Sequence, residues 1–384
     1  MKENKILIMT PGPTTVRENV RMARAKAATN PDIDLDFYEF YRELCGKIGT
    51  FLQTKNEVRV LCGEGILGLE AACASLTESG DRVLVIDNGI FGEGFADFVN
   101  MYGGEPVLFR GDRRGAIDVE ELRAFLGKDS NFKYATVVHC DTPSGVLNDI
   151  GNICTLLKSK GILTVVDSVA AMGGEEIKVD EWCIDIALGG SQKVVSAPPG
   201  LTFLSISGDA FKSMENRRTP IASFYCNLLV WKDYYSKKWF PYTMPISDIE
   251  GLNAAFDNIM EEGIHHVIAR HHLIAEAVRA AVKSAGLNLY LEDGFSSTVT
   301  PVEVPEGVDD SELRDYMKEH YNVLIGGSLG YLDGKVMRIG HMGENAAVDK
   351  VSYTLMAFGH SLKHCGVEVK SDMAEVFLEN VSKL

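Results

Sequence analysis

The sequence lacks most of the marks that would assign it quickly to a class. No uninterrupted apolar run reaches the roughly 18 residues that a bilayer-crossing helix requires, so no membrane association is expected. Basic residues are few: 38 Lys and Arg stand against 54 Asp and Glu, and no basic cluster offsets the formal charge of -16. That balance argues against nucleic acid and anionic membrane surfaces as partners. Met1-Lys2-Glu3-Asn4 opens no secretory signal. The eight cysteines, at positions 45, 62, 73, 140, 154, 183, 226 and 365, form no C-x-x-C pair. Most have apolar neighbours in sequence, as free buried thiols do in a reducing compartment. These absences leave a cytoplasmic enzyme as the simplest expectation, with small molecules and copies of itself as partners.

At 384 residues the chain exceeds one simple core and has ample apolar content for two domains. Apolar strand patterns at Val58–Cys62, Val83–Ile86, Pro106–Phe109 and Ala135–His139 alternate with helical ones such as Leu69–Leu76 and Asp118–Leu126. This alternation, continuing through residue 206, predicts an α/β fold with a mostly parallel, helix-covered sheet. Further helices are expected over Arg17–Ala28, Phe37–Leu52 and Asp248–Glu262. Residues 1–16, with the stiff Thr10-Pro11-Gly12-Pro13, read as an extended arm. Residues 17–262 then form a large domain and 263–384 a smaller C-terminal α/β domain.

Two strand ends draw attention. The apolar run Ile184-Asp185-Ile186-Ala187-Leu188 stops at Gly189-Gly190, and Ser191-Gln192-Lys193 follows before a rigid Pro198-Pro199-Gly200 turn. A lysine held among small residues can form an imine with a carbonyl compound when desolvation and neighbours lower its pKa from about 10.4. Upstream, Leu163-Thr164-Val165-Val166 ends at Asp167. In open parallel sheets ligands bind beyond the carboxyl ends of the strands, so Asp167 and Lys193 can converge on one ligand. An amine that forms imines and an acid facing it suit pyridoxal phosphate, the acid keeping the pyridine nitrogen protonated. A strand-end aspartate also caps helices, and the residues alone leave both roles open.

The segments Val166-Asp167-Ser168-Val169-Ala170-Ala171-Met172-Gly173-Gly174 and Gly190-Ser191-Gln192-Lys193, with Pro198-Pro199-Gly200, resemble the signatures of the class V, fold-type I, pyridoxal phosphate aminotransferases. The likeness is to the alanine:glyoxylate and serine:pyruvate group and runs from Thr10 to Gly340. It implies a Lys193 aldimine, Asp167 at the ring nitrogen, Phe91 stacked on the ring, and Thr142 beside the ring hydroxyl. It also implies a phosphate cup at Glu64, Gly65 and Ile66 with Gln192, and Arg338 gripping a substrate carboxylate. The arm and the segment around Thr243 reach the neighbouring subunit in this family, which implies a homodimer with shared active sites. The expected activity transfers an amino group between a small-molecule donor and a 2-oxo acid such as pyruvate or glyoxylate.

Several positions depart from the family pattern. The cup position of Glu64 is usually Ser or Thr, and a carboxylate about 4 Å from a phosphate is opposed by about 4 kcal/mol per charge pair at an effective dielectric of 20. Three readings stand: Glu64 points outward as a helix-start acid, a partner neutralises it, or the cup takes unphosphorylated pyridoxal or pyridoxamine as a substrate. The third reading resembles the pyridoxamine:pyruvate transaminases of the same group. Those have a second arginine where Leu329 stands here. Phe240 occupies the place of a tyrosine that often binds phosphate.

A cysteine desulfurase-like lyase would need a nucleophile, with Cys226 and Cys365 the candidates in the later half. A non-enzymatic, cofactor-binding regulator would need an appended domain that the sequence does not contain. His265, His266, His271 and His272 read as a solvated helix face, and no metal site is expected.

Overall fold

The computed structural model describes residues 6–383. Its centre is a seven-stranded sheet ordered 57–62, 201–206, 186–190, 163–167, 134–138, 82–87, 105–110. Only Leu201–Ile206 runs antiparallel to its neighbours; the remaining pairs are parallel. Leu163–Asp167 and Ile186–Gly190 pair from Val165↔Ile186 to Asp167↔Leu188. Their near-continuous apolar composition follows from burial on both faces, which the connecting helices impose.

Apolar packing divides into one large cluster, from Val20 to Val267 around this sheet, and a second from Ile274 to Phe377. Met9 belongs to the second, because Leu7–Ile8 pairs in parallel with Val323–Leu324. The N-terminal segment therefore enters the structure from the C-terminal side and crosses to the large cluster at Lys193. Its path needs residues without side chains: a Cβ on Gly340 would stand 2.2 Å from Thr10 O, and one on Gly12, at φ +88, would stand 2.5 Å from Lys193 Cδ.

Local bonding moved several expected boundaries. The helix expected over Arg17–Ala28 covers only Glu18–Ala23, since Ala25 and Lys26 donate to carbonyls three residues back and close turns instead. The second helix is Leu35–Phe51, with Asp34 accepting from Asp36 N at its start. The third begins at Gly65, not Leu69, because the Glu64 side chain caps it. The four histidines on Ile264–Ser284 do not form one solvated face. His271 is buried and its Nε2 accepts from Gly343 N at 2.8 Å, while exposed His272 lies 3.3 Å from Glu175 Oε2. Six residues separate 265 from 271, which turns them to different sides of a helix with 3.6 residues per turn. Among the described residues no helix is long and apolar enough to cross a membrane, and no group of three or more potential ligands could hold a metal.

Candidate active site

The carboxyl ends of the parallel strands open into a cavity of about 200 Å3. Eight of the residues singled out from sequence line it: Glu64, Gly65, Ile66, Phe91, Thr142, Asp167, Gln192 and Lys193. They come from five separate segments, so the sheet supplies the convergence.

Lys193 follows Ile186–Gly190 in a turn whose backbone is tied down by Ser191 N donating to Leu201 O and Thr14 Oγ1 donating to Lys193 O. Its amine donates to the carbonyl of Pro11 at 2.6 Å. Burial, then the positive charge of Arg338, lowers its pKa from 10.5 to about 8, against the pull of Cys140, Asp167 and Glu64. An amine so placed is still mostly protonated at neutral pH but keeps a neutral fraction of roughly a tenth, far above that of a solvated lysine, and this fraction serves nucleophilic and general-base chemistry.

Asp167 ends the adjacent strand and is buried. Its Oδ1 accepts from Val169 N at 2.9 Å, a bond local to the turn. Burial pushes its pKa from 3.8 to about 6, opposed by that bond and by Lys193. A buried carboxyl with so little local compensation gains from a cationic N–H donor brought by a ligand.

Glu64 turns inward. It is the N-cap of Gly65–Leu76, with Oε1 accepting from Ile66 N at 3.0 Å, while Oε2 accepts from Gln192 Nε2 at 2.9 Å. A helix N-terminus offers free N–H groups and a partial positive charge, the usual seat for a phosphate. Here the protein's own carboxylate occupies the Ile66 donor and engages the Gln192 amide, and Gln192 Oε1 is buried without a partner. The ring end thus fits a pyridoxal ring, with an amine for its aldehyde and an acid for its nitrogen. The cup end offers acceptors where a phosphate needs donors.

Arg338 and Thr243 do not line the cavity. Arg338, on Val336–Gly340, donates Nε to Gly327 O at 2.6 Å and Nη1 to Thr142 O at 3.3 Å, which sets it beside the cavity. Burial lowers its pKa from 12.5 to about 10, so its charge persists at neutral pH. Thr243 lies apart, its hydroxyl donating to Asp32 Oδ2 at 3.2 Å. Phe240 is buried among aromatic rings and stacks on Tyr38 at 4.4 Å.

Two participants escaped the sequence reading. Asp141, a fully buried carboxylate beside Thr142, was legible in retrospect: Val137-Val138-His139-Cys140-Asp141 places an acid beyond a strand, as Val165-Val166-Asp167 does. The Pro11 carbonyl was not, since no residue type announces a backbone acceptor.

The Aminotransferase class-V family model matches residues 24–329. The chain is 35% identical over 381 residues to an uncharacterised aminotransferase of Methanocaldococcus jannaschii, covering 99% of this chain and 98% of that one. It is 33% identical over 365 residues to a pyridoxamine–pyruvate transaminase of Mesorhizobium japonicum, covering 94% and 92%. Among solved structures, ureidoglycine-glyoxylate aminotransferase from Bacillus subtilis superposes with a TM-score of 0.95 at 28% identity, covering 100% of both chains.

Proposed function

The chain belongs to the class V aminotransferases, with their fold-type I architecture, and from that premise we propose that its cavity moves an amino group to or from a small 2-oxo acid, pyruvate or glyoxylate. The family implies pyridoxal phosphate chemistry. The observation that carries the proposal is the Lys193 amine, brought to a pKa of about 8 in a cavity shared with Asp167 and flanked by Arg338.

A bound pyridoxal ring supplies a carbonyl for the lysine and an electron sink for bonds broken at the substrate carbon. Asp167 holds a proton on the ring nitrogen, an ionic contact that returns its own carboxyl to the charged form. Lys193 Nζ, once free, takes the proton from the substrate carbon and returns it to the acceptor carbon; a pKa near the working pH serves both directions. Arg338 takes the substrate carboxylate, and its planar fork fixes the orientation of the oxo acid. Phe91 covers the ring face and the Thr142 hydroxyl meets its hydroxyl side. Cys226 and Cys365, the candidate nucleophiles for lyase chemistry, lie outside the lining of the cavity.

With residues 1–16 as an arm, 17–262 as a large domain and 263–384 as a smaller one, the large domain lines the cavity, and Pro11 of the arm and Arg338 of the smaller domain reach its edge. Thr243, outside the cavity of its own chain, serves that of a second copy, making the working unit a homodimer. Exposed Phe224, Tyr225 and Trp239 near that segment supply apolar surface for the contact.

A second reading concerns the amino donor, and the inward Glu64 favours it. With both oxygens engaged at the helix start, the carboxylate opposes a dianionic phosphate and accepts a neutral hydroxymethyl group. Pyridoxamine itself then delivers the amino group, and the B6 compound is a substrate. Purified protein titrated with pyridoxal and with pyridoxal phosphate, and assayed with pyruvate or glyoxylate against pyridoxamine and amino acids, separates the readings. Amination of pyruvate from pyridoxamine by a colourless protein supports the second; tightly held yellow pyridoxal phosphate restores the ordinary donor. Failure to transfer an amino group to either oxo acid overturns both.

A further inference from the structure

One buried carboxylate beside the cavity has no part in the chemistry above. Asp141 ends the short strand Cys140–Asp141 and is completely buried. Its Oδ1 accepts from Phe91 N at 3.0 Å, and its Oδ2 accepts from Ser144 Oγ at 2.6 Å and Ser144 N at 3.3 Å. Phe91 is the second residue of the helix Ile90–Met101, whose N-cap is Gly89. A helix start leaves its first N–H groups without intrahelical partners, and a capping side chain normally takes one of them. Gly89 has none to offer. Asp141 supplies the missing acceptor from another segment, and glycine at 89 makes room for it, since a Cβ there would stand 2.3 Å from Asp141 Cγ. The next residue, Thr142, lines the cavity, and its carbonyl accepts from Arg338.

We propose that Asp141 is a positioning residue, which caps the helix Ile90–Met101 from across the site and so holds the Phe91 ring against the ligand ring while its turn presents Thr142 to Arg338. The inference rests on Phe91 being the residue that covers the ring. Phe95 and Val99 anchor the rest of the helix in the core, so loss of the cap frees its first turn and leaves the fold in place.

The test titrates the full chain and its Phe91→Ala, Asp141→Ala, Asp141→Asn and Gly89→Ala variants with pyridoxal and, in parallel, pyridoxal phosphate. Whichever binds the parent more tightly serves as the probe, read by absorbance and by the circular dichroism induced in the bound ring. Phe91→Ala sets the signature of a lost ring cover. Asp141→Ala and Gly89→Ala, the second displacing the carboxylate without removing it, are expected to shift the induced signal in the same sense and weaken binding roughly three- to tenfold, about the worth of one buried hydrogen bond. Asp141→Asn, which keeps an acceptor oxygen for Phe91 N, is expected to stay near the parent. Gly89→Ala and Asp141→Asn carry the test even where Asp141→Ala folds poorly. If Phe91→Ala shifts the signal while Gly89→Ala and Asp141→Ala leave affinity and dichroism as in the parent, the positioning role is overturned and the ring-cover reading stands. If Phe91→Ala is itself silent, the ring-cover reading fails and the proposal falls with it.

Discussion

The two ends of the cavity are built differently. At the ring end, Asp167 and Lys193 follow adjacent parallel strands whose register, Val165↔Ile186 to Asp167↔Leu188, is held by ladders on both sides. At the cup end, Glu64 and Gln192 meet as two side chains at a helix start, the Gln192 amide nitrogen donating to the Glu64 carboxylate. Backbone ladders fix the first geometry, and only rotamers fix the second. On the proposed function, the reaction is set where the fold is least able to change, and the identity of the bound molecule where one side chain can rewrite it.

The comparison breaks most completely at Lys193. Lys193→Ala should abolish amino transfer with the fold intact, and Asp167→Asn should lower the rate by orders of magnitude, because the ring nitrogen loses its charged partner. Single-turnover kinetics with the folded variants check both, and normal turnover in either removes that residue from the mechanism.

Next in size is Arg338, which belongs to neither end. Arg338→Lys should raise the apparent KM for pyruvate or glyoxylate by roughly two to three powers of ten, because an ammonium cannot reproduce a bidentate grip. Steady-state titration of each oxo acid reads this, and an unchanged KM excludes the assignment.

The cup end should respond more modestly. Glu64→Ser opens the Ile66 N–H and the Gln192 amide to a phosphate, and should swing the preference from pyridoxal toward pyridoxal phosphate by about tenfold or more, each ~1.4 kcal/mol being worth a factor of ten. Equal relative affinities in parent and variant would show that Glu64 serves the helix alone.

The smallest effect is a pH dependence belonging to the ring end. Capture of pyridoxal needs the neutral lysine amine, and burial with Arg338 brings Lys193 to about 8. Below that pH the amine is mostly protonated. The capture rate should rise by about tenfold per pH unit in this range and level off above it. In Arg338→Met the lost positive neighbour should move the plateau to higher pH. Stopped-flow absorbance across pH checks both, and a flat profile in the parent contradicts the lysine's placement.

Much of this was legible before the structure. Asp167, Gln192 and Lys193 stood after strands that end at an acid or at paired glycines, patterns that place side chains at the mouth of a parallel sheet, and Glu64, Gly65 and Ile66 stood in a glycine-rich helix start, while Phe91 and Thr142 were placed by the family resemblance. Helix starts were less legible. Gly65 and Leu35 begin helices earlier than apolar periodicity suggests, because Glu64 and Asp34 contribute caps that periodicity does not register. His271 misled because a helix can bury one histidine of a run and expose another, depending on neighbours distant in sequence.

The sequence by itself determined the alternation of strands and helices, the pairing of a strand-end lysine with a strand-end acid, and the family. These depend on local pattern: side-chain periodicity, turn residues and the order of apolar runs along the chain. Tertiary structure alone decided that Glu64 turns inward to Gln192, that Asp141 caps a helix starting at Gly89, and that the Pro11 carbonyl meets the lysine amine. Each joins groups 50 to 182 residues apart. Hydrogen bonds between distant segments depend on distances of a few tenths of an ångström, and only the assembled sheet, helix and arm bring them within reach.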